Sequence, residues 1–230
     1  MKKLLLPVAA FLFCLTAHSQ KLARVNISGS GEVETIGFEL DESVLLNITK
    51  DGAISKFGVD LYKGYNRDNY NNQLQDYTGR VEYFTDNDNE AYKGKVKSIG
   101  RYQITYYASF DKEELVGKLK SIGTINFDYY PITENEAYRG NLKSAGSTVF
   151  TYYSSYENEA FKGKIKSIGN SMITYYSSLE DAGYRGKVKS LGSYSYTYYP
   201  GTYFRTELRG RVKSGNMIQT DNGVKYFMKY

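Results

Sequence analysis

The sequence predicts an all-β fold, an elongated antiparallel meander of 23-residue two-strand repeats, and three observations carry that expectation. The phrase "YKGKVKSIG", which starts at Tyr92, returns as "LVGKLKSIG", "YRGNLKSAG", "FKGKIKSIG", "YRGKVKSLG" and a frayed "LRGRVKSGN". Its glycine therefore falls at Gly94, Gly117, Gly140, Gly163, Gly186 and Gly210. A tyrosine pair keeps the same interval, at Tyr106-Tyr107, Tyr129-Tyr130, Tyr152-Tyr153, Tyr175-Tyr176 and Tyr198-Tyr199. Each unit also holds two runs rich in β-branched and aromatic residues, bounded by glycine on one side and an acidic stretch on the other, without a helical apolar period.

Taken in order, residues 1–19 are expected to be a signal peptide. Lys2 and Lys3 precede an apolar run from Leu4 to Ala17 that is too short to span a bilayer as a helix, and cleavage is expected before Gln20. Cleavage removes the only cysteine, Cys14, and the only histidine, His18, from a chain that has no tryptophan. A mature chain of this composition excludes thiol nucleophiles, Ser-His-Asp triads, disulfides, and zinc or copper sites built on His or Cys. The formal charge of +5 falls to +3 without Lys2 and Lys3, so the pattern of charge carries more than its total.

Residues 20–78 read as an N-terminal β segment, in which "VLLNITKDGAISKFGVDL" has a Lys-Asp-Gly turn between two strand-like runs, followed by the Asn-rich loop "GYNRDNYNNQLQDYTG". The array is expected over residues 79–214, beginning with the shortened relative "GRVEYF". Residues 215–230 read as a C-terminal capping hairpin around Asp221-Asn222-Gly223.

Strict alternation assigns faces within a unit. Tyr92, Gly94, Val96 and Ser98 take one side with Tyr102, Ile104 and Tyr106, and Lys93, Lys95 and Lys97 take the other. A three-residue loop, Ser98-Ile99-Gly100, brings the apolar sides together and sets Val96 opposite Tyr102 and Gly94 opposite Ile104. On this reading Gly94 leaves room for aromatic rings on a crowded face. Acidic residues such as Asp86, Asp88, Glu134, Glu157 and Glu180 occupy one row of loops.

The Tyr-x-Gly-x-apolar unit resembles the MORN repeat, and "GKVKSIG" resembles a phrase of the YwqK-type antitoxin repeats, over residues 79–215. That resemblance implies an antiparallel meander used as an interaction surface for protein or lipid, and it carries over no functional residues.

The candidate binding face joins the lysine row, with Lys95, Lys118, Lys164 and Lys187, to the second tyrosine of each pair, Tyr107, Tyr130, Tyr153, Tyr176 and Tyr199. Rings spaced among cations can stack on sugars while the ammonium groups hold carboxylate or phosphate. The alternative reading is a solvated face whose rings cover lysine stems. "DNDNE" at Asp86 to Glu90 clusters oxygen ligands but lacks the glycine and closing glutamate of a calcium loop, which leaves a solvated loop as the better reading. No cofactor, metal or catalytic residue is expected. The function expected is an exported, non-enzymatic repeat protein, periplasmic, cell-surface or secreted, that binds an envelope or extracellular protein or an anionic polysaccharide. Nucleic acid is disfavoured, and self-association through the apolar sheet face is open. An outer-membrane β-barrel ending on the alternating "VKYFMKY", and a carbohydrate-active enzyme with a carboxylate pair, are the alternatives.

Overall fold

A computed structural model describes residues 20–40, 44–60 and 73–229. The expected signal peptide with Cys14 and His18, most of the Asn-rich loop, and Tyr230 lie outside the described residues. Four strands, β1 (Lys21–Ile27), β2 (Val33–Glu39), β3 (Val44–Ile48) and β4 (Ile54–Val59), form an antiparallel N-terminal sheet. Alternation puts Val25, Ile27, Ile36, Phe38, Leu46 and Ile48 in the core.

The array is one sheet in sequence order. It runs from β5 (Val81–Tyr83) through β6 (Val96–Ile99), β7 (Tyr102–Tyr106), β8 (Leu119–Ile122), β9 (Ile125–Tyr129), β10 (Leu142–Ala145) and β11 (Thr148–Tyr152). It continues through β12 (Ile165–Ile168), β13 (Ser171–Tyr175) and β14 (Val188–Leu191) to β15 (Tyr194–Ser195), and a separate two-stranded piece, β16 (Thr197–Tyr198) with β17 (Val212–Ser214), follows.

Within a unit the turn is shorter than the sequence suggested. Ile99 pairs with Tyr102 and Ser98 with Gln103, which leaves Gly100 and Arg101 as a two-residue turn with Gly100 at φ +56°. Glycine at the first central position of such a turn matches the twist of the flanking strands, so the three-residue loop is not formed and Val96 does not pair with Tyr102. Ile99 instead enters the strand and is buried.

A bulge explains how both ends of so short a strand reach the core. Ile104 pairs with Ile122 and Thr105 with Ser121, but Tyr106 pairs with Leu119, so Lys120 is the extra residue. The shift lets Leu119 and Ile122, three apart, both point inward, where strict alternation would separate them. The same extra residue recurs at Lys97, Lys143, Lys166, Lys189 and Lys213. Gly94 lies before the strand, at φ +74°, and a Cβ there would meet nothing within 4 Å. Its expected role in making room for rings is therefore corrected: the turn asks for left-handed backbone, which glycine adopts without penalty.

The C-terminal residues form the expected hairpin, β18 (Ile218–Asp221) with β19 (Val224–Met228), and Asn222 and Gly223 both have positive φ. It extends the N-terminal sheet, because β19 pairs in parallel with β1. It also touches the array, where Asn222 Nδ2 donates to Ser171 Oγ at 3.2 Å.

The two sheets share one core, and Phe38 meets Phe127 edge-on at 5.2 Å between centroids. The apolar face of the array is thus covered by the chain's own N-terminal sheet, which removes the ground for self-association through that face. Neither sheet closes on itself among the described residues, so the barrel reading is also corrected.

Candidate binding surface

The three basic positions of the repeat phrase, filled in every unit but for Val116 at the first and Asn141 at the second, go three ways. The first stays on the exposed loop edge, where Lys93 pairs with Asp86 at 3.1 Å. The second turns along the array. Lys95 Nζ donates to Gly117 O at 2.5 Å, Lys118 Nζ to Gly140 O at 2.5 Å, Lys164 Nζ to Gly186 O at 2.6 Å, and Lys187 Nζ to Gly210 O. Each of these ammonium groups lies over the first tyrosine of its unit, Tyr106, Tyr129, Tyr175 and Tyr198, at 5.1, 4.8, 5.4 and 5.0 Å from the centroid. Burial lowers the pKa of all four. These lysines therefore tie one repeat to the next, and the expectation that they stand on an open plate is corrected, because the bulge and the turn at Gly94 break the alternation on which it rested.

The third position is the bulge residue. Lys97 lies over Phe84, Lys120 over Tyr107, Lys143 over Tyr130, Lys166 over Tyr153 and Lys189 over Tyr176, at 5.1 to 5.9 Å. Beside these lysines, Thr105 and Ser121, Thr151 and Ser167, and Thr174 and Ser190 share hydroxyl bonds of 2.6 Å.

The second tyrosines sit at the joints between units. Tyr107, Tyr130, Tyr153 and Tyr176 are half-buried and donate their hydroxyls to the carbonyls of Phe127, Phe150, Ile173 and Tyr196, at 2.9 to 3.0 Å. Their rings meet the first tyrosine of the following unit edge-on, as in Tyr130 with Tyr152 at 5.8 Å. Tyr199 rests against Tyr203 at 4.6 Å. Their placement on the face opposite the first tyrosines is corrected, since both tyrosines of each pair contribute to one aromatic ladder.

The first tyrosines are buried, and Tyr106, Tyr129, Tyr152, Tyr175 and Tyr198 donate to the carbonyls of Val96, Leu119, Leu142, Ile165 and Val188. Burial raises the pKa of Tyr106, Tyr129, Tyr152 and Tyr175 well above the ordinary phenol value. A folded-state pKa above the unfolded one leaves stability intact below about pH 10 and removes it as the pH rises towards the folded value. The four lysines act oppositely, but only up to their own unfolded value near 10.4, above which the tyrosines alone set the slope. Alkaline titration followed at 295 nm is expected to show these phenols ionising together with loss of the β signal in circular dichroism. Complete ionisation with the fold intact would contradict the ladder.

A second ladder runs through the loops and was not read from the sequence. Asn89, Asn135 and Asn158 accept through Oδ1 from Ala91, Ala137 and Ala160 N and from Ser109, Ser155 and Ser178 N, and donate through Nδ2 to the serine hydroxyls. The signal was the asparagine at the repeat interval, Asn135 to Asn158. The neighbouring acids close their own turns, as Asp88 does on Thr85 N and Glu157 on Ser154 N, both at 2.6 Å. Among the described residues no three His, Cys, Asp or Glu side chains are grouped to hold a metal.

One cleft, of about 710 Å³, opens between the β3–β4 hairpin and the first repeat. Lys56, Phe57, Tyr83, Lys95, Tyr106 and Lys118 line it. It brings together two residues of the expected face, Lys95 and Lys118. Lys164 instead packs beside Ser30 and Glu32, and Lys187 lies at Gly210.

No curated protein and no solved structure matches the chain. A family model for the BspA type leucine rich repeat region matches residues 85–201 in six copies. The β-rich array implied by the MORN-like resemblance is also the content of this match. The inward pairs Leu119 and Ile122, Leu142 and Ala145, and Ile165 and Ile168 are the repeated apolar positions within the matched span. The chain belongs to the BspA-type leucine-rich repeat family.

Proposed function

We propose that this is an exported, non-enzymatic binding protein of the cell envelope or extracellular space, whose array presents a regular tyrosine and lysine strip to a partner, a protein or an anionic glycan. The carrying observation is the outer row Lys97, Lys120, Lys143, Lys166 and Lys189, one cation per repeat, each seated on an aromatic ring. A fixed row of charges suits a polymer with its own repeat, and the rings beneath hold the lysine stems in place. The basic residues at Lys2 and Lys3 and the apolar run behind them support export. Hydrogen bonds lower the pKa of Glu82, Asp88 and Asp181, the direction opposite to the one a general acid needs.

Dextran sulfate tests this strip. The chain from Gln20 onward is expected to bind it at low salt and to release it at about 0.5 M salt, where charges are screened within a few ångströms. Changing Lys120, Lys143 and Lys166 together to Glu is expected to weaken binding at least about tenfold, which corresponds to about 1.4 kcal/mol. Binding that ignores both salt and the triple change rejects the strip.

A further inference from the structure

The array meets the N-terminal sheet twice in the same way. At the first place Asp51 O accepts from Lys118 Nζ at 3.3 Å. The next residue, Gly52 at φ +88°, lies so close to Tyr129 that a Cβ would come within 2.0 Å of its hydroxyl. At the second place Ser30 O accepts from Lys164 Nζ at 2.5 Å. The next residue, Gly31 at φ +84°, lies on Tyr175 and against the Gly186 carbonyl, where a Cβ would come within 2.6 Å of Gly186 O and 3.1 Å of the ring. Each turn carries an acid beside its glycine, Asp51 in one and Glu32 in the other, and Glu32 Oε1 stands 3.7 Å from Lys164 Nζ.

In these two repeats the lysine and the first tyrosine thus hold an acidic glycine turn. The ammonium keeps one donor on the next repeat's glycine carbonyl and offers another to the turn, while the left-handed backbone and the closeness of the ring favour a residue without a side chain. Lys95 and Tyr106 are the same pair in the first repeat, with Lys95 Nζ on Gly117 O at 2.5 Å and 5.1 Å above the ring. Among the described residues no turn of the N-terminal sheet covers this pair, and the cleft of about 710 Å³ lies there instead. Lys56, Lys95 and Lys118 outnumber Asp51 around it, so the cleft is basic. Tyr83 stands exposed at its rim.

We propose that this cleft docks an acidic glycine turn of a partner protein. The turn's carbonyl accepts a hydrogen bond from Lys95 Nζ, its glycine lies on Tyr106, and its carboxylate faces Lys56. The site lies apart from the outer lysine strip and does not depend on it.

The probe is a head-to-tail cyclic peptide carrying the chain's own turn, Ile27–Val33 ("ISGSGEV"), titrated into isotopically labelled chain from Gln20 onward and followed by NMR. Saturable shifts are expected at the amides of Lys95, Tyr106 and Gly117. Added salt should weaken the binding. Lys95→Glu should abolish it, Lys56→Glu should weaken it several-fold, and the Lys120, Lys143 and Lys166 triple change should leave it untouched. Lys56 is exposed, so its variant keeps the test open if Lys95→Glu fails to fold. Three results overturn the proposal: no saturable shift, binding indifferent to both Lys56→Glu and a Glu-to-Lys change in the peptide, or a photo-crosslink from position 83 that captures the chain's own residues 61–72.

Discussion

Tyr175→Ala is expected to lower the unfolding free energy by about 3–5 kcal/mol, the range for removing a large buried ring. Tyr175 is buried beneath Lys164 and the Gly31 turn, stacks on Phe161 at 6.2 Å and meets Tyr153 edge-on at 5.8 Å. Alanine removes that contact on every side, and it withdraws the hydroxyl that donates to Ile165 O at 2.8 Å. Tyr175→Phe separates the two losses. It keeps the ring and leaves one buried carbonyl without its donor, at a cost of about 1–2 kcal/mol. Urea unfolding of both variants checks this, with the midpoint read at unchanged slope. Equal losses in the two variants would mean that the hydroxyl, and not the ladder of rings, holds the repeat. A loss below about 1 kcal/mol for alanine would mean that the unit relaxes around the gap.

The period, the strand content and the hairpins were legible because each depends on local chemistry. Gly100 marks a turn wherever it recurs, and Asn222-Gly223 is a hairpin signal on its own. Alternation placed Tyr102, Ile104 and Tyr106 on the buried side correctly. It failed on the other strand, because a bulge is a pairing property of two strands and strict alternation within one strand leaves no place for it. Val96 and Ile99 are three apart, and that spacing was the available sign that one residue between them is extra. The error then spread to the site: with Lys97 out of register, Lys95 and Lys97 no longer share a face, and Lys95 became a link between repeats. The docking of the N-terminal sheet was likewise hidden, although the repeat itself departs from its pattern there. Asn141 stands where four of the other units have lysine and the last has Arg211, Ala145 stands where the same four have isoleucine or leucine, and Leu142 N donates to Lys50 O beside them.

That docking point gives the second large effect, Gly52→Ala, expected to cost about 2–5 kcal/mol. Two terms add. A non-glycine residue at φ +88° carries backbone strain of about 1–2 kcal/mol, and overpacking a closed interface costs about 1–3 kcal/mol more. The second term applies because Tyr129 cannot step aside: it is 2% exposed and its hydroxyl is bound to Leu119 O at 2.8 Å. The turn cannot step aside either without releasing Lys50 O from Leu142 N at 2.7 Å and Asp51 O from Lys118. Gly223→Ala is the control, since φ there is +80° and a Cβ would meet nothing within 4 Å, which leaves strain alone. Hydrogen exchange distinguishes the two, because the Leu142 amide should lose protection in Gly52→Ala and keep it in Gly223→Ala. If both variants lose the same stability and Leu142 stays protected in each, the turn does not hold the sheets together, and the recurrence of lysine, tyrosine and glycine at the two docking points is packing without recognition.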